Sequence, residues 1–411
     1  MRRDTILLPT GLGLIVATLL MTGCSPAAPP ADDPRAVPFV EAMFAAMRRG
    51  DLNGALALSD SAARYAPRNA ELAVARGDLY SALRRYDAAK EAYEAAVAAD
   101  SRFPGAWYQL GQNAFLQRRY REALGYYRKE QDVLGAGADP ASAAAIEAQI
   151  GRTYAMLGVP DSARVSYTTA LASDSTQASA HAWLSELLES EGRLPEALHH
   201  ARLALQANPR ELENGYRVGA LLFQTGKPQE ALPYLNVVAQ RLPGHEGAAF
   251  NLGRALQALG REGEAKVYLD RVEQIQALQQ QAVVAERAVE TYPGEPQRWI
   301  DLAGLMMQMG YFDRAETALN AAQALRPRDL SLQSDLANLA FTRGDTTAAL
   351  QRFQTLLRMD STYADGWLNL GIVYAVSGDV ASARKAWETA LRHKPGDPDA
   401  TAYLNQLKSG Q

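Results

Sequence analysis

The chain has 411 residues, of which 47% are hydrophobic, and its formal net charge is −4 at neutral pH. This nearly balanced charge argues against binding of nucleic acid, which requires an excess of Lys and Arg to release counterions from phosphates. The single cysteine, Cys24, excludes an internal disulfide. Length alone would allow two domains.

The first residues of the chain differ in composition from the rest. Arg2 and Arg3 precede an apolar run over 12–21, which is short for a membrane span, and Thr-Gly-Cys24 follows it. This order resembles a bacterial lipoprotein signal peptide. The resemblance implies that residues 1–23 are removed and that Cys24 becomes the lipidated first residue of the mature chain. The alternatives are an ordinary secretory signal or an uncleaved anchor.

Residues 24–38 contain five prolines among Ala and Asp, a composition that favours an extended tether and cannot form a core. At about 3.1 Å per residue the tether would span about 40 Å. Ser25, rather than Asp, follows Cys24. A serine at this position resembles the signal by which lipoproteins are sorted to the outer membrane. We therefore expect a lipid-anchored protein of the bacterial cell envelope that faces the periplasm.

From residue 36 to residue 397 one pattern recurs about every 34 residues. In its clearest copy, four residues spaced by three and four positions lie on one face of a first helix. A glycine that can end this helix and an aspartate that can cap the next one follow. The second helix then ends before a proline. The markers of this copy are Trp367, Leu370, Gly371, Tyr374, Gly378, Asp379, Ala383, Trp387, Ala390 and Pro395. The pattern resembles the tetratricopeptide repeat, a helical hairpin that buries its apolar surface against the next hairpin.

The resemblance implies an all-α fold, a solenoid wound as a right-handed superhelix of about ten helix-turn-helix repeats. The first copy, over about 36–69, is degenerate in its first helix, as terminal repeats often are. A short helix over 398–411 is expected to cap the last hairpin.

Two departures from the period predict local changes. About six residues are inserted near 135–140, a Gly-, Ala- and Pro-containing stretch that predicts a loop. About sixteen more are inserted within 273–289, which contains neither Gly nor Pro. We therefore expect one long second helix over 262–292, either without a role of its own or serving as an arm for docking or dimerisation.

The resemblance also implies where a partner would bind, because first helices of such repeats line the concave groove. Aromatic residues are typical interface anchors, an asparagine can bond a peptide backbone, and an arginine can bind a carboxylate. The alternative is that the aromatic residues pack between neighbouring first helices. The candidate partner-binding residues are Tyr108, Phe115, Trp183, Tyr216, Arg217, Phe223, Phe250, Asn251, Arg254 and Asn369.

The sequence carries no pattern typical of catalysis. The five histidines are scattered over the repeats, and the adjacent His199 and His200 would point about 100° apart on a helix. We expect no catalytic residue, no metal, no cofactor and no small-molecule substrate.

The function predicted is a protein-protein interaction scaffold that holds a peptide or helix in its groove. Two alternatives stay open. One is a self-assembling structural protein that forms homo-oligomers through the long helix over 262–292. The other is a substrate-recruiting subunit of a separate enzyme.

Overall fold

A computed structural model describes residues 33–48 and 51–409, which belong to two compact units. Unit 1 ends at Ile275 and unit 2 begins at Gln276, within one helix. The predicted signal peptide, Cys24 and most of the predicted tether lie outside the described residues.

Unit 1 contains seven helical hairpins in chain order. Its helices are α1 (Val37–Arg48), α2 (Leu52–Ala63), α3 (Ala70–Ala82), α4 (Tyr86–Ala99), α5 (Ala106–Leu116), α6 (Tyr120–Leu134), α7 (Pro140–Met156), α8 (Pro160–Ser173), α9 (Ala178–Ser190), α10 (Leu194–Ala207), α11 (Leu212–Gln224), α12 (Pro228–Arg241), α13 (Glu246–Ala258) and the first part of α14 (Glu262–Thr291).

Unit 2 continues with the rest of α14 and three further hairpins. Its helices are α15 (Pro296–Gln308), α16 (Phe312–Leu325), α17 (Leu330–Thr342), α18 (Thr346–Met359), α19 (Ala364–Val376), α20 (Val380–His393) and α21 (Pro398–Ser409). The predicted ten hairpins and the terminal helix are therefore confirmed, and no strand occurs within residues 33–48 or 51–409.

The turn inside each hairpin follows from its local sequence. Gly378 takes a φ of +84° between α19 and α20, a backbone conformation that glycine adopts without strain. The Asp379 carboxylate then accepts a hydrogen bond from the backbone N–H of Ser382 at 3.0 Å and caps α20. Two earlier hairpins place Arg84 and Arg118 at the same turn position with positive φ.

In most hairpins a large side chain of the second helix lies on a small residue of the first helix. The Trp387 ring lies where a Cβ on Gly371 would be, and the Tyr127 ring lies in the same way against Gly111. Trp387 Nε1 also donates to the Leu368 carbonyl at 3.1 Å, which fixes the ring.

The two insertions are seen directly. A 3₁₀ turn at Gly135–Gly137 occupies part of the predicted loop, and α7 is 17 residues long, compared with 13 in α9. Part of this insertion therefore lengthens a helix. The second insertion makes α14 a continuous helix of 30 residues, as predicted, with a length of about 45 Å. Among the described helices none is both long enough and apolar enough to cross a membrane.

Candidate functional site

The candidate surface in unit 1 is formed by the first helices of the third to seventh hairpins, α5, α7, α9, α11 and α13, which we call the first-helix row. Nine of the ten predicted partner-binding residues lie on this row. The tenth, Asn369, lies on α19 in unit 2, where its Nδ2 is 3.5 Å from Ser334 Oγ.

At one end of the row a guanidinium lies between two aromatic rings. The Arg152 guanidinium carbon on α7 is 4.8 Å from the Phe115 ring centre and 4.9 Å from the Trp183 ring centre. Burial lowers the pKa of Arg152, yet an arginine stays charged in proteins. Two cation–π contacts therefore link three consecutive first helices.

Arg152 was missed among the predicted site residues, although a signal was present. It directly follows Gly151, just as Gln112 follows Gly111 and Arg254 follows Gly253. The candidate residues include that position in the seventh copy, as Arg254, but not in the fourth.

We expect Arg152→Met to lower the free energy of unfolding by about 1–3 kcal/mol, because the apolar stem is kept while both cation–π contacts are lost. Arg152→Lys should recover only part of the loss, since a lysine cannot stack a planar group on either ring. Thermal and urea unfolding followed by circular dichroism would measure the change. Arg254→Met, an exposed arginine at the same repeat position, is the control and should change stability by less than about 0.5 kcal/mol. An equal loss in both variants would contradict a special role of the two rings.

Next along the row, one arginine is surrounded by carboxylates. Arg217 nitrogens lie 2.5 Å from Glu186, 3.7 Å from Glu189 and 3.9 Å from Glu213, and the Arg217 side chain is only 13% exposed. Arg217, predicted to bind a partner's carboxylate, thus already has carboxylate partners within the chain. With three acidic groups around one basic group, this part of the row is acidic.

Tyr216 and Asn251, both predicted partner-binding residues, bond to each other across neighbouring first helices. Asn251 Nδ2 donates to Tyr216 Oη at 3.3 Å, and the Tyr216 ring centre is 4.4 Å from that of His245. His245 Nδ1 accepts from the Ala248 N–H, so its Nε2 carries the proton and donates to Glu213 at 3.2 Å. Burial raises the pKa of Tyr216 to about 12, so its hydroxyl stays neutral.

The predicted aromatic residues differ in exposure. Phe250 on α13 is 47% exposed, whereas Phe115 is buried at 5%. Tyr108, Trp183 and Phe223 are partly buried and pack against core side chains. Phe250 is therefore the aromatic side chain of the row that is most open to a partner, and it lies four residues before the exposed Arg254.

Three histidines belong to one hairpin, so the prediction that the histidines are scattered is wrong at this place. His181 Nε2 lies 3.1 Å from the Ser175 carbonyl and must donate to it, so His181 Nδ1 accepts from His200 Nδ1 at 3.0 Å. Burial lowers the pKa of His200 to about 4, which keeps it neutral at pH 7. Over the described part of the chain no three His, Cys, Asp or Glu residues are grouped to hold a metal ion.

Segments of two proteins are similar to segments of this chain. The TPR repeat-containing protein PA0015 of Pseudomonas aeruginosa is 36% identical over 70 residues, which are 16% of this chain and 67% of that protein. The general transcriptional corepressor trfA of Dictyostelium discoideum is 26% identical over 105 residues, 26% of this chain and 8% of that protein. The chain thus spans less than a tenth of the length of trfA.

Two solved structures are similar to this chain. The structure of pilF from Pseudomonas aeruginosa is 18% identical, with a TM-score of 0.45, over 52% of this chain and 95% of that chain. The Cut9 and Hcn1 hetero-tetramer of the APC/C is 15% identical, with a TM-score of 0.37, over 92% of this chain and 91% of that chain.

Two family models described as tetratricopeptide repeat match the chain, and the first of them covers more than half of its residues. The matches of the first are residues 74–143, 149–211, 300–364 and 334–400, and that of the second is 222–285. Together with the ten hairpins, these matches show that the chain belongs to the tetratricopeptide repeat family.

Proposed function

We propose that this protein is an exported, lipid-anchored scaffold of the bacterial cell envelope that holds a peptide or helix of a partner protein against the first-helix row of unit 1. The tetratricopeptide fold suggests a protein-protein interaction scaffold, since each hairpin adds surface without adding a reaction centre. The observation that carries the proposal is the exposed Phe250 on a first helix, beside Asn251 and Arg254. Large exposed aromatic side chains are typical anchors of protein interfaces.

The charges along the row describe the segment that would fit it. Glu186 and Glu213 expose 54% and 48% of their side chains, and Arg217 neutralises only part of their charge. A basic residue of the partner would bind there, while an apolar residue would cover Phe250 and an acidic residue would pair with Arg254. The partner segment in this proposal is therefore extended or helical, with charges of both signs.

Export and anchoring rest on residues 2–24, with their two arginines, apolar run and Cys24. Cells that express the chain and are fed a labelled fatty acid should incorporate the label into the wild type and not into Cys24→Ser. The wild type should sediment with the membranes. Wild-type protein that carries no label, or equal labelling of both forms, would contradict lipid attachment at Cys24. Neither result would bear on the binding of a partner.

The binding proposal is tested by co-purification from detergent-solubilised membranes. The double variant Phe250→Asp, Arg254→Glu should lose a protein that the wild type recovers, because one change adds charge to the apolar anchor and the other reverses the neighbouring charge. Val237→Asp is the control, since Val237 is also 47% exposed but lies on a second helix, α12. Unchanged recovery by the double variant, or equal loss in the control, would place the binding surface elsewhere.

A further inference from the structure

We infer that one edge of unit 1 is a basic surface that lies against the anionic headgroups of a phospholipid membrane. This basic edge consists of the turns inside the second and third hairpins and the first residues of the helices that follow them, residues 84–91 and 118–125. The inference rests on the proposed attachment of the chain to a membrane. It is independent of the partner proposed for the first-helix row.

The basic edge differs in charge from the equivalent turns of the next four hairpins. Residues 84–91 and 118–125 together contain six Lys or Arg and three Asp or Glu. Basic and acidic residues are equal in number in each of the four equivalent segments, 158–165, 192–199, 226–233 and 260–267. Among these six turns the excess of positive charge is therefore confined to two, in a chain whose net charge is −4.

Contacts between the second and third hairpins bring the two turns together. The carbonyl of Tyr86, directly after the first turn, accepts a hydrogen bond from Asn113 Nδ2 at 3.0 Å. Asn113 Oδ1 accepts in turn from Gln117 Nε2 at 2.6 Å, at the second turn. Lys90 Nζ lies 3.2 Å from Glu122 Oε1, which joins the first turns of α4 and α6. The two turns thus lie side by side, although they are one repeat apart in the sequence.

Four arginines of the basic edge are exposed and have no acidic partner among the described residues. Arg119 and Lys90 both pair with Glu122, at 3.3 Å and 3.2 Å, so this carboxylate is already shared. In the fifth hairpin, by comparison, Arg193 at the turn is neutralised by Glu196 of its own helix at 2.5 Å. The four arginines that lack such a partner are Arg84, Arg85, Arg118 and Arg121. Their guanidinium groups are available to an external anion.

Two of these arginines stand where later hairpins have glycine. Arg84 has a φ of +57° and Arg118 a φ of +60°, whereas the fourth to tenth hairpins carry glycine at this position, from Gly158 to Gly378. A side chain in this left-handed conformation is strained, because its Cβ crowds the backbone. Strain of this kind is concentrated at functional sites. Here the strained positions supply a guanidinium at the outer end of each turn.

The place of the basic edge in the chain indicates a membrane as its occupant. Asp33, the first described residue, follows Cys24 by nine residues. Such a tether spans about 28 Å when extended, so the first hairpins stay within reach of the surface to which Cys24 is attached. Basic clusters of this size bind the anionic headgroups of a nearby leaflet. An arginine can also direct two N–H groups at one phosphate.

Vesicle sedimentation of the full chain tests the inference. Every form carries Cys24→Ser, so no lipid anchor contributes and the apolar run over 12–21 contributes equally. The test variant is Arg84→Gly, Arg85→Gln, Arg118→Gly, Arg121→Gln, in which glycine removes charge and backbone strain together. In about 0.1 M salt it should bind vesicles of phosphatidylcholine and phosphatidylglycerol, mixed at about 3:1, about tenfold more weakly than the unchanged edge does. Binding to phosphatidylcholine alone should not differ.

A control variant removes the same number of charges elsewhere on unit 1. Its four exposed arginines, one at each of four connections between hairpins, are changed to glutamine; they are Arg68, Arg102, Arg210 and Arg241. A second helix of 14 residues, such as α4, separates a turn from a connection by about 21 Å, which exceeds the screening length of about 10 Å in this salt. The control should therefore lose less than about twofold of the binding.

The outcomes that overturn the inference are distinct. Unchanged binding of the test variant, or equal weakening by both variants, would show that the basic edge has no special affinity for anionic lipid. The test variant should melt no lower than the unchanged edge by circular dichroism; a lower melting temperature would show that the arginines bind within the chain. If co-purification lost an acidic protein while vesicle binding stayed the same, the occupant would be a protein and not a membrane. Lipid attachment at Cys24 is decided separately by the fatty-acid labelling, since every form in the vesicle test lacks that cysteine.

Discussion

Gly111→Ala is expected to lower the free energy of unfolding by about 2 kcal/mol, although alanine is the better helix former. A Cβ at this position would lie 2.5 Å from Cε1 and 2.6 Å from Cδ1 of Tyr127. The Tyr127 ring is fully buried and packs against Tyr108, with ring centres 5.7 Å apart, so it cannot retreat cheaply. Urea unfolding followed by circular dichroism would measure the loss.

The same hairpin offers a matched control of opposite sign. Gly125 lies on the neighbouring helix α6, it is exposed, and a Cβ there would meet no atom within 4 Å. Gly125→Ala should therefore stabilise the protein by about 0.5–1 kcal/mol, since only the backbone entropy of the unfolded chain changes. If both substitutions changed the free energy of unfolding in the same direction, packing of the Tyr127 ring would not explain the glycine at position 111.

Asp78→Asn is expected to stabilise the protein at pH 8 and to have little effect at pH 4. Asp78 is 7% exposed, and its carboxyl accepts a hydrogen bond from Tyr93 Oη at 2.8 Å. Burial raises the pKa of Asp78 from 3.8 to about 7. The folded state thus holds a proton that the unfolded state releases, so stability is greatest below pH 4 and falls as the pH rises towards 7.

The size of this effect follows from the shift in pKa. A rise of about three in the pKa of Asp78 on folding corresponds to a loss of up to about 4 kcal/mol in the free energy of unfolding at high pH. Asparagine would recover this free energy while still accepting the Tyr93 hydrogen bond. Thermal unfolding of both forms between pH 4 and pH 8 measures it. Asp87→Asn on the adjacent helix serves as the control for the same substitution at an exposed position. A parallel pH profile for wild type and Asp78→Asn would show that Asp78 does not titrate in this range.

The helices were predictable because their signals are local. Gly378 and Asp379 are adjacent in the sequence, and the glycine ends one helix while the aspartate caps the start of the next. The absence of Gly and Pro over 273–289 likewise predicted α14 to within one residue of its observed end at Thr291. The predicted loop near 135–140 was less accurate, because a Gly-rich stretch does not show how many residues the following helix takes up.

The candidate site was only partly predictable because its contacts join residues one repeat apart. Glu186 and Arg217 are 31 residues apart, and Tyr216 and Asn251 are 35 apart. The period indicates that their helices are neighbours, but the direction of each side chain depends on packing against the next hairpin. For this reason the sequence pattern suggested Arg217 as a ligand for a partner's carboxylate, while the structure places it among carboxylates of the same chain.

The amino-acid sequence alone determines the ten hairpins, their order and the long helix, since glycine positions, helix caps and apolar spacing act within a few residues. The tertiary structure decides which residues of the first-helix row stay open, as Phe250 does, and which are enclosed, as Phe115 is. Both outcomes depend on which helix lies against which, and that is settled by packing between elements rather than by the residues of one element.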